Sequence, residues 1–285
     1  MKKSAFMNFA VDHMTLLLHP KLYAVSYPVF RIIFGVTLDD ILYEKRRPAQ
    51  KNQKEKSMTY ATRIGEWNTS KKEPLSTIIA VVQPSEPEAE PSHVRDMLDG
   101  HEAVAHWQHI ALRTSDLISF HRHACEHGVQ FVTPILKDEH ENLIQVFSGE
   151  WYLPGGRPSG LFFEFLQRDP SDHALAEIQR QNKQSWFRDE TFLGLYSEKE
   201  REYRSGRVKP FLPEELFEIL LKFIGEKQVW EVTEKDISSI ADIMKNFSKS
   251  STKSSAKTGR KMPNIIDKKV KPMPKKVAKK TKKKR

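Results

Sequence analysis

Two imidazoles and a carboxylate, His13, His109 and Glu164, each sit in a short apolar run: FAVDHMTLL from Phe9, WQHIAL from Trp107 and LFFEFLQR from Leu161. Each run alternates like a strand, and in each the polar residue shares a face with apolar neighbours. Glu164 is the sharpest case, because Phe162, Glu164 and Leu166 point one way while Leu161, Phe163 and Phe165 point the other. A carboxylate among phenylalanines loses its hydration, at a cost that only a cation or hydrogen-bond donors can offset. Two histidines and one carboxylate on separate strands are the donor set of a non-haem Fe(II) oxygenase site, which keeps positions open for substrate and oxygen. Blander readings stand beside this one. A lone strand histidine is commonly a hydrogen-bonded core residue, and Glu164 could instead pair with an arginine such as Arg113.

Strands that bring these three groups together are supplied twice, in the same order, between residues 8 and 169. In the first copy, a strand over 9–17 precedes a helix over 21–35 bearing Tyr23, Val25, Val29, Ile32, Ile33 and Phe34. Strands follow at 39–44, 58–66 and 76–82, with the polar run EKRRPAQKNQKEK (44–56) as a long exposed loop. Residues 84–91, with three prolines and three glutamates, read as a linker. In the second copy, a strand over 107–113 leads to a helix over 116–127 with Ser115 as its expected N-cap. Strands are then expected at 129–132, 143–148 and 161–167. The expected class is therefore α+β: paired βαβββ modules in a curved, barrel-like mixed sheet, followed by helices and a disordered basic tail. The histidines hold equivalent places in the two copies, and Glu164 lies in the last strand of the second. Helices are expected at 174–182, 189–204, 213–224 and 235–247. The corresponding units are a domain over 1–209 (repeat one 8–84, repeat two 104–169, closing helices 174–204), a helical extension over 210–248 and a tail over 249–285.

Charge is unevenly spread along the 285 residues. The tail holds sixteen Lys/Arg against one acid, Asp267, and so carries +15; with +10 on the whole chain, residues 1–248 carry −5. The basic pI belongs to the tail. A Lys/Ser/Pro-rich segment of this kind buries too little surface to repay its ordering entropy. The stretch KKVKPMPKKVAKKTKKKR (268–285) lacks aromatics, so any nucleic-acid binding would be to phosphates, without sequence preference and without base stacking. A merely solubilising extension is the alternative. Cys125 is the one cysteine, which excludes a disulfide framework. No apolar run approaches the length of a membrane span. Asp12 and His13 interrupt the apolar stretch near the N-terminus and no small-residue cleavage site follows, so no signal peptide is expected and the cytoplasm is the expected location.

At the residues singled out above, the chain resembles the C-terminal, iron-binding half of the 4-hydroxyphenylpyruvate dioxygenases, members of the vicinal oxygen chelate superfamily. The resemblance covers roughly residues 9–204. WQHIALRTSDL (107–117), LIQVF (143–147) and RPSGLFFEFLQR (157–168) carry it, with VDH (11–13) where the first ligand strand belongs. The resemblance implies Fe(II) held by His13, His109 and Glu164. It also implies that Gln108 and Gln145 orient the substrate, and that Phe147, Phe192 and Phe187 pack on its ring from the sheet and from a closing helix over 189–204. Gln108 adjoins His109 and would face the other way in a regular strand, so pocket-lining and outward orientations are both open for it. The implied reaction is oxidative decarboxylation of an aromatic 2-oxo acid such as 4-hydroxyphenylpyruvate, with O2, and ring hydroxylation to homogentisate.

Departures from the family pattern are specific. The first expected ligand comes at position 13, so the family's N-terminal half-domain is expected to be missing from this arrangement. A pocket glutamine of the family aligns with His93 and a pocket asparagine with Val82, and the glycine-rich segment before the closing helix is WFRDETF (186–192). Two other functions therefore stay in view: an extradiol ring-cleaving dioxygenase on the same scaffold, for which His93 could be recruited as acid or base, and a non-catalytic scaffold with a nucleic-acid-binding tail. An exposed half-barrel surface would also suit a homodimer. His121, His123, Cys125 and His127 look like a second cluster, but on a helix only His123 and His127 are neighbours, and a solvated face accounts for them. His101 and His106 need no function.

Overall fold

Among the described residues, alternating apolar positions build one mixed sheet of eight strands beside a small two-stranded one. The computed structural model describes residues 4–45, 57–65, 67–68, 73–74, 77–84, 92–138, 142–181 and 191–257. The first module comprises β1 (Ala10–Leu18), α1 (Pro20–Ile33), β2 (Ile41–Lys45), β3 (Ser57–Ile64), a two-stranded hairpin of β4 (Trp67–Asn68) and β5 (Glu73–Pro74), and β6 (Thr77–Pro84). After α2 (His93–Gly100), the second comprises β7 (Ala105–Arg113), α3 (Leu117–Glu126), β8 (Leu136–Asp138), β9 (Leu143–Glu150) and β10 (Phe162–Arg168). Four further helices follow: α4 (Asp172–Gln181), α5 (Thr191–Ser205), α6 (Glu214–Ile224) and α7 (Glu234–Lys257).

Strand order in the large sheet is β2-β3-β6-β1-β7-β10-β9-β8. The modules meet where β1 runs antiparallel to β7, and within each module the first and last strands are parallel neighbours, β1 with β6 and β7 with β10. Parallel neighbours need a crossover, which each module's helix begins. The α+β class and the paired modules in one curled sheet agree with the expectation from sequence.

Residue alternation decides what each face packs against. Leu16 and Leu18 of β1 turn outward to Tyr60, Val81 and the α1 residues Tyr23, Tyr27 and Phe30. In the second module Ile144, Val146 and Phe165 turn outward beneath Leu117 of α3 and Ile178 of α4. The inner face carries Leu17 and Val82, covered by Val94, Met97 and Leu98 of α2, and Phe147 and Phe162, covered by Leu195 of α5. The two helices α2 and α5 thus close the face on which the ligand candidates lie. Among the described residues no helix is long and apolar enough to cross a membrane.

Four local expectations are corrected. Asp116, not Ser115, caps α3, its carboxylate accepting from the Ser119 amide at 3.0 Å. Residues 129–132 form no strand: Gln130 donates to the Phe211 carbonyl and Val132 to Phe147, so their bonds are divided between two neighbours and the ladder begins only at Leu136. The helix α2 was unexpected, since its apolar residues Val94, Met97 and Leu98 stand beside polar runs that read as loop. Finally, α7 continues to Lys257, nine residues past the expected tail boundary at 248, because extending an established helix costs far less than nucleating one. Of the expected linker over 84–91 and loop over 44–56, Pro84 ends β6 and Glu44 and Lys45 end β2; residues 85–91 and 46–56, with the tail beyond 257, lie outside the described residues.

Candidate metal centre

Register across the centre of the sheet sets the three groups in place. His13 pairs with Ala111, Ala111 with Glu164, and Glu164 with Phe147, forming one row over four strands. In the next row Thr15 pairs with His109, and His109 with Phe162. Ala111 lies between the two ligand candidates of its row and offers only a methyl group, which leaves the space above it to the longer side chains. His13 Nε2 is 3.4 Å from Glu164 Oε2, His109 Nε2 is 3.3 Å from the same oxygen, and the two imidazole nitrogens are 3.4 Å apart. The three donor atoms all lie within 4.8 Å of one another. Donors held at about 2.1 Å on adjacent corners of an octahedron are about 3 Å apart, so this spacing suits one metal on one face of three ligands. Glu164 Oε2 is buried and lacks a hydrogen-bond partner, as a carboxylate oxygen meant for a cation should be. Donor types, convergence and that unpartnered oxygen all fit a divalent metal.

Two β-bulges aim the histidines. Val11 pairs with Leu112 and His13 with Ala111, which makes Asp12 an extra residue; Thr15 pairs with His109 and Leu16 with Trp107, which makes Gln108 another. A bulge puts consecutive side chains on nearly the same side of a strand. Asp12 Oδ1 therefore reaches His13 Nδ1 at 3.1 Å, and Gln108 Oε1 reaches His109 Nδ1 at 3.2 Å. In both cases the acceptor keeps the proton on Nδ1 and leaves Nε2 for a metal. Asp12 is itself clamped by Arg168, through Nε at 2.9 Å and Nη2 at 2.7 Å. Arg113 approaches Asp12 at 4.0 Å, not Glu164, so the arginine pairing considered for Glu164 does not form. The Thr15 hydroxyl lies 2.9 Å from His109 Nε2.

Electrostatics follow from these contacts. For His13 burial works against charge, but the Glu164 and Asp12 carboxylates outweigh it and raise the imidazole to about 10. Burial, with a smaller contribution from His13, holds His109 well below its ordinary value. Burial would raise Asp12, yet hydrogen bonds from Arg168 and His13 keep it far below the usual carboxylate range.

Candidate pocket residues fall into three groups. Phe147 is fully buried, paired with Glu164 and edge-on to the His109 ring at 6.4 Å between centroids. Gln145 lies two residues along the same strand face, buried, with Nε2 unpartnered. Gln108 and His93 are bonded to each other, Nε2 to Nε2 at 3.0 Å, and Gln108 turns toward His109 because of the bulge. Burial and the Lys199 ammonium push His93 down to about 3, so it stays neutral and accepts from the Gln108 amide. Val82 is buried against Leu17 and α2. Phe187 lies outside the described residues; Phe192 falls in the first turn of α5, and its side chain is likewise outside them. His123 and His127 lie 4.2 Å apart between ring centroids at a tilt of 40°, and His127 Nδ1 bonds the His123 carbonyl. Among the described residues the triad is the one group of three or more His, Cys, Asp or Glu side chains disposed to hold a metal.

Sequence reading missed Asp12, Thr15 and a buried ionic cluster beside the triad. Lys199 of α5 is fully buried, bonded to Glu150 at 3.0 Å and Glu202 at 3.1 Å, with Tyr203 donating to Glu150 at 3.1 Å. Its ammonium stands 4.9 Å from the Phe162 ring centroid, and Phe162 in turn packs against His109 at 5.3 Å. Lys199 has no sequence signal, since it sits in a charged helix that reads as solvated.

No protein-family model matches the chain, and no curated protein matches it. Among solved structures, it is similar to a mutant of 4-hydroxymandelate synthase from Streptomyces coelicolor (17% identity, TM-score 0.42, 62% of this chain and 56% of that one). It is also similar to a selenomethionine methylmalonyl-CoA epimerase (20%, 0.42, 60% and 100%) and to methylmalonyl-CoA epimerase from Mycobacterium tuberculosis (17%, 0.38, 62% and 97%). The chain thus spans little more than half the length of the synthase.

Proposed function

We propose that this protein is an Fe(II)-dependent dioxygenase acting on an aromatic 2-oxo acid such as 4-hydroxyphenylpyruvate, decarboxylating it oxidatively and hydroxylating its ring to give homogentisate. The observation that carries this reading is the convergence of His13 Nε2, His109 Nε2 and the buried Glu164 Oε2 on one point of the closed inner face. When bound there, Fe(II) would supply open coordination positions for a chelating substrate and O2. The residues around it have definable tasks. Asp12 and Gln108 hold the proton of each histidine on Nδ1. Phe147 offers an aromatic wall beside Glu164, against which a substrate ring packs. Gln145 presents a free amide donor on that same face, suited to a substrate carboxylate or phenol oxygen. Leu195 and Lys199 of α5 help exclude water from the inner face, which strengthens every polar interaction inside it. His93 is neutral and committed to Gln108, which disfavours its use as the acid/base histidine of a ring-cleaving enzyme.

Residues 268–285 lie outside the described part, and their expected partner remains the nucleic-acid backbone, bound without sequence preference. The test of the reaction is oxygen uptake by protein loaded anaerobically with Fe(II), on addition of 4-hydroxyphenylpyruvate. Uptake matched by CO2 release and abolished in His109→Ala supports the dioxygenase. Iron bound without uptake would move the assignment to another substrate, and neither iron nor uptake would favour a non-catalytic scaffold.

A further inference from the structure

The two modules are alike in sheet topology but unlike in how they are covered. In the second, α3 is packed by α7 and by the 3-10 turn Ala5–Met7, with Phe6 against His123 at 5.5 Å. Ile178 of α4 completes the core beneath α3, and the sheet edge at β8 is shielded by Leu195 of α5 against Leu136. In the first module the equivalent positions are bare among the described residues. The inner stripe of α1 is satisfied, since Tyr23, Tyr27 and Phe30 pack on Tyr60 and the Ser26 hydroxyl bonds the Tyr60 hydroxyl at 2.6 Å. The outer stripe is not: Leu22 is 40% exposed, Val25 56%, Val29 40%, Ile32 77% and Ile33 69%. Their spacing of three, four, three and one places them on a single face of the helix. Phe34 (49%) and Leu38 (64%) continue the apolar surface toward β2, the terminal strand of the sheet, where Leu42 is 43% exposed.

We propose that this outer stripe of α1, with the adjoining β2 edge, is a two-fold interface with a second copy of this chain. Contiguous apolar surfaces of this kind mark association sites. A two-fold interface must be complementary to itself, which an uncharged aliphatic stripe satisfies and a strongly charged one would not. The charged residues of α1 are Lys21 and Arg31 alone, too few to recruit an acidic partner by attraction. A stable pair buries on the order of 800 Å² per partner, and eight large apolar side chains at 40–77% exposure form the centre of a patch of that size. The interface leaves the triad untouched, so its existence does not depend on the metal chemistry proposed above.

Sedimentation of the full chain from micromolar concentrations upward is the test. The expected result is a species of twice the 33.1 kDa chain mass, reduced to 33.1 kDa in a Val25→Glu/Ile32→Glu variant whose far-UV spectrum is unchanged. Hydrogen exchange supplies a measurement that needs no variant: amides of residues 20–34 should gain protection as wild-type protein is concentrated. A single-chain mass at all concentrations, or a dimer that the double substitution does not weaken, overturns the proposal. A monomer that binds lipid vesicles through this stripe also overturns it and reassigns the surface to a membrane.

Discussion

Each of the two candidate ligand histidines is aimed by the residue before it, through a bulge that ordinary strand alternation hides. Replacing that neighbour should therefore weaken metal binding without removing a ligand. Asp12→Asn and Gln108→Leu are each expected to lower metal affinity about 10–100-fold, measured by competition with a chelator of known affinity, whereas Glu164→Ala should abolish stoichiometric binding. A pH effect follows from His13. Its imidazole, raised from 6.5 to about 10, gives the metal-free protein stability that is fully present below pH 6.5 and lost as pH rises through about 10. A metal must displace that proton, so affinity should climb about tenfold per pH unit from neutrality to about pH 9, with release of one proton per metal. Calorimetry in buffers of different ionisation enthalpy reads the proton directly, and a pH-independent affinity would contradict it. The triad was legible in the sequence because a polar residue on an apolar strand face stands out. Asp12 and Gln108 were not legible as groups that orient the histidines, because a bulge leaves no periodic trace; strand alternation left the direction of Gln108 open and gave Asp12 no role.

At the scale of elements, the described contacts that hold α5 over the inner face include the aliphatic Leu195, Tyr203 packed on the core of α2, and one buried ion cluster. Lys199→Met would leave Glu150 and Glu202 without their cation and should cost about 3–5 kcal/mol in denaturant unfolding. Arg201→Ala on the exposed side of the same helix, where the guanidinium pairs with Glu198, should change stability by no more than about 0.5 kcal/mol. Leu195→Ala removes the apolar contact with Leu136, Phe147 and Phe162 and should cost about 2–5 kcal/mol. Equal costs for Lys199→Met and Arg201→Ala would mean that the cluster is not the anchor. The apolar-rich strands β1, β7, β9 and β10 could be read from sequence to within one or two residues. Shared hydrogen bonding defeated the reading at 129–132, where the segment divides its partners between β9 and residues 209–211. A short amphipathic stretch defeated it again at α2, and mixed charge concealed the buried lysine of α5.

For the molecule as a whole, residues 1–248 carry a net −5 and residues 249–285 a net +15. Binding of the full chain to DNA through residues 268–285 should fall steeply between about 50 and 200 mM salt, and equal binding at both would remove the phosphate reading. Module pairing brings His13 and His109, ninety-six positions apart, within reach of Glu164, and the sheet order that does this follows from two parallel crossovers and one antiparallel seam. The most direct test is metal content after anaerobic loading of the purified chain with Fe(II), set beside a His13→Ala/His109→Ala variant that folds normally. One iron per chain in the wild type and none in the variant is the predicted result. No iron in the wild type, or iron retained by the variant, would contradict a metal centre at these three residues.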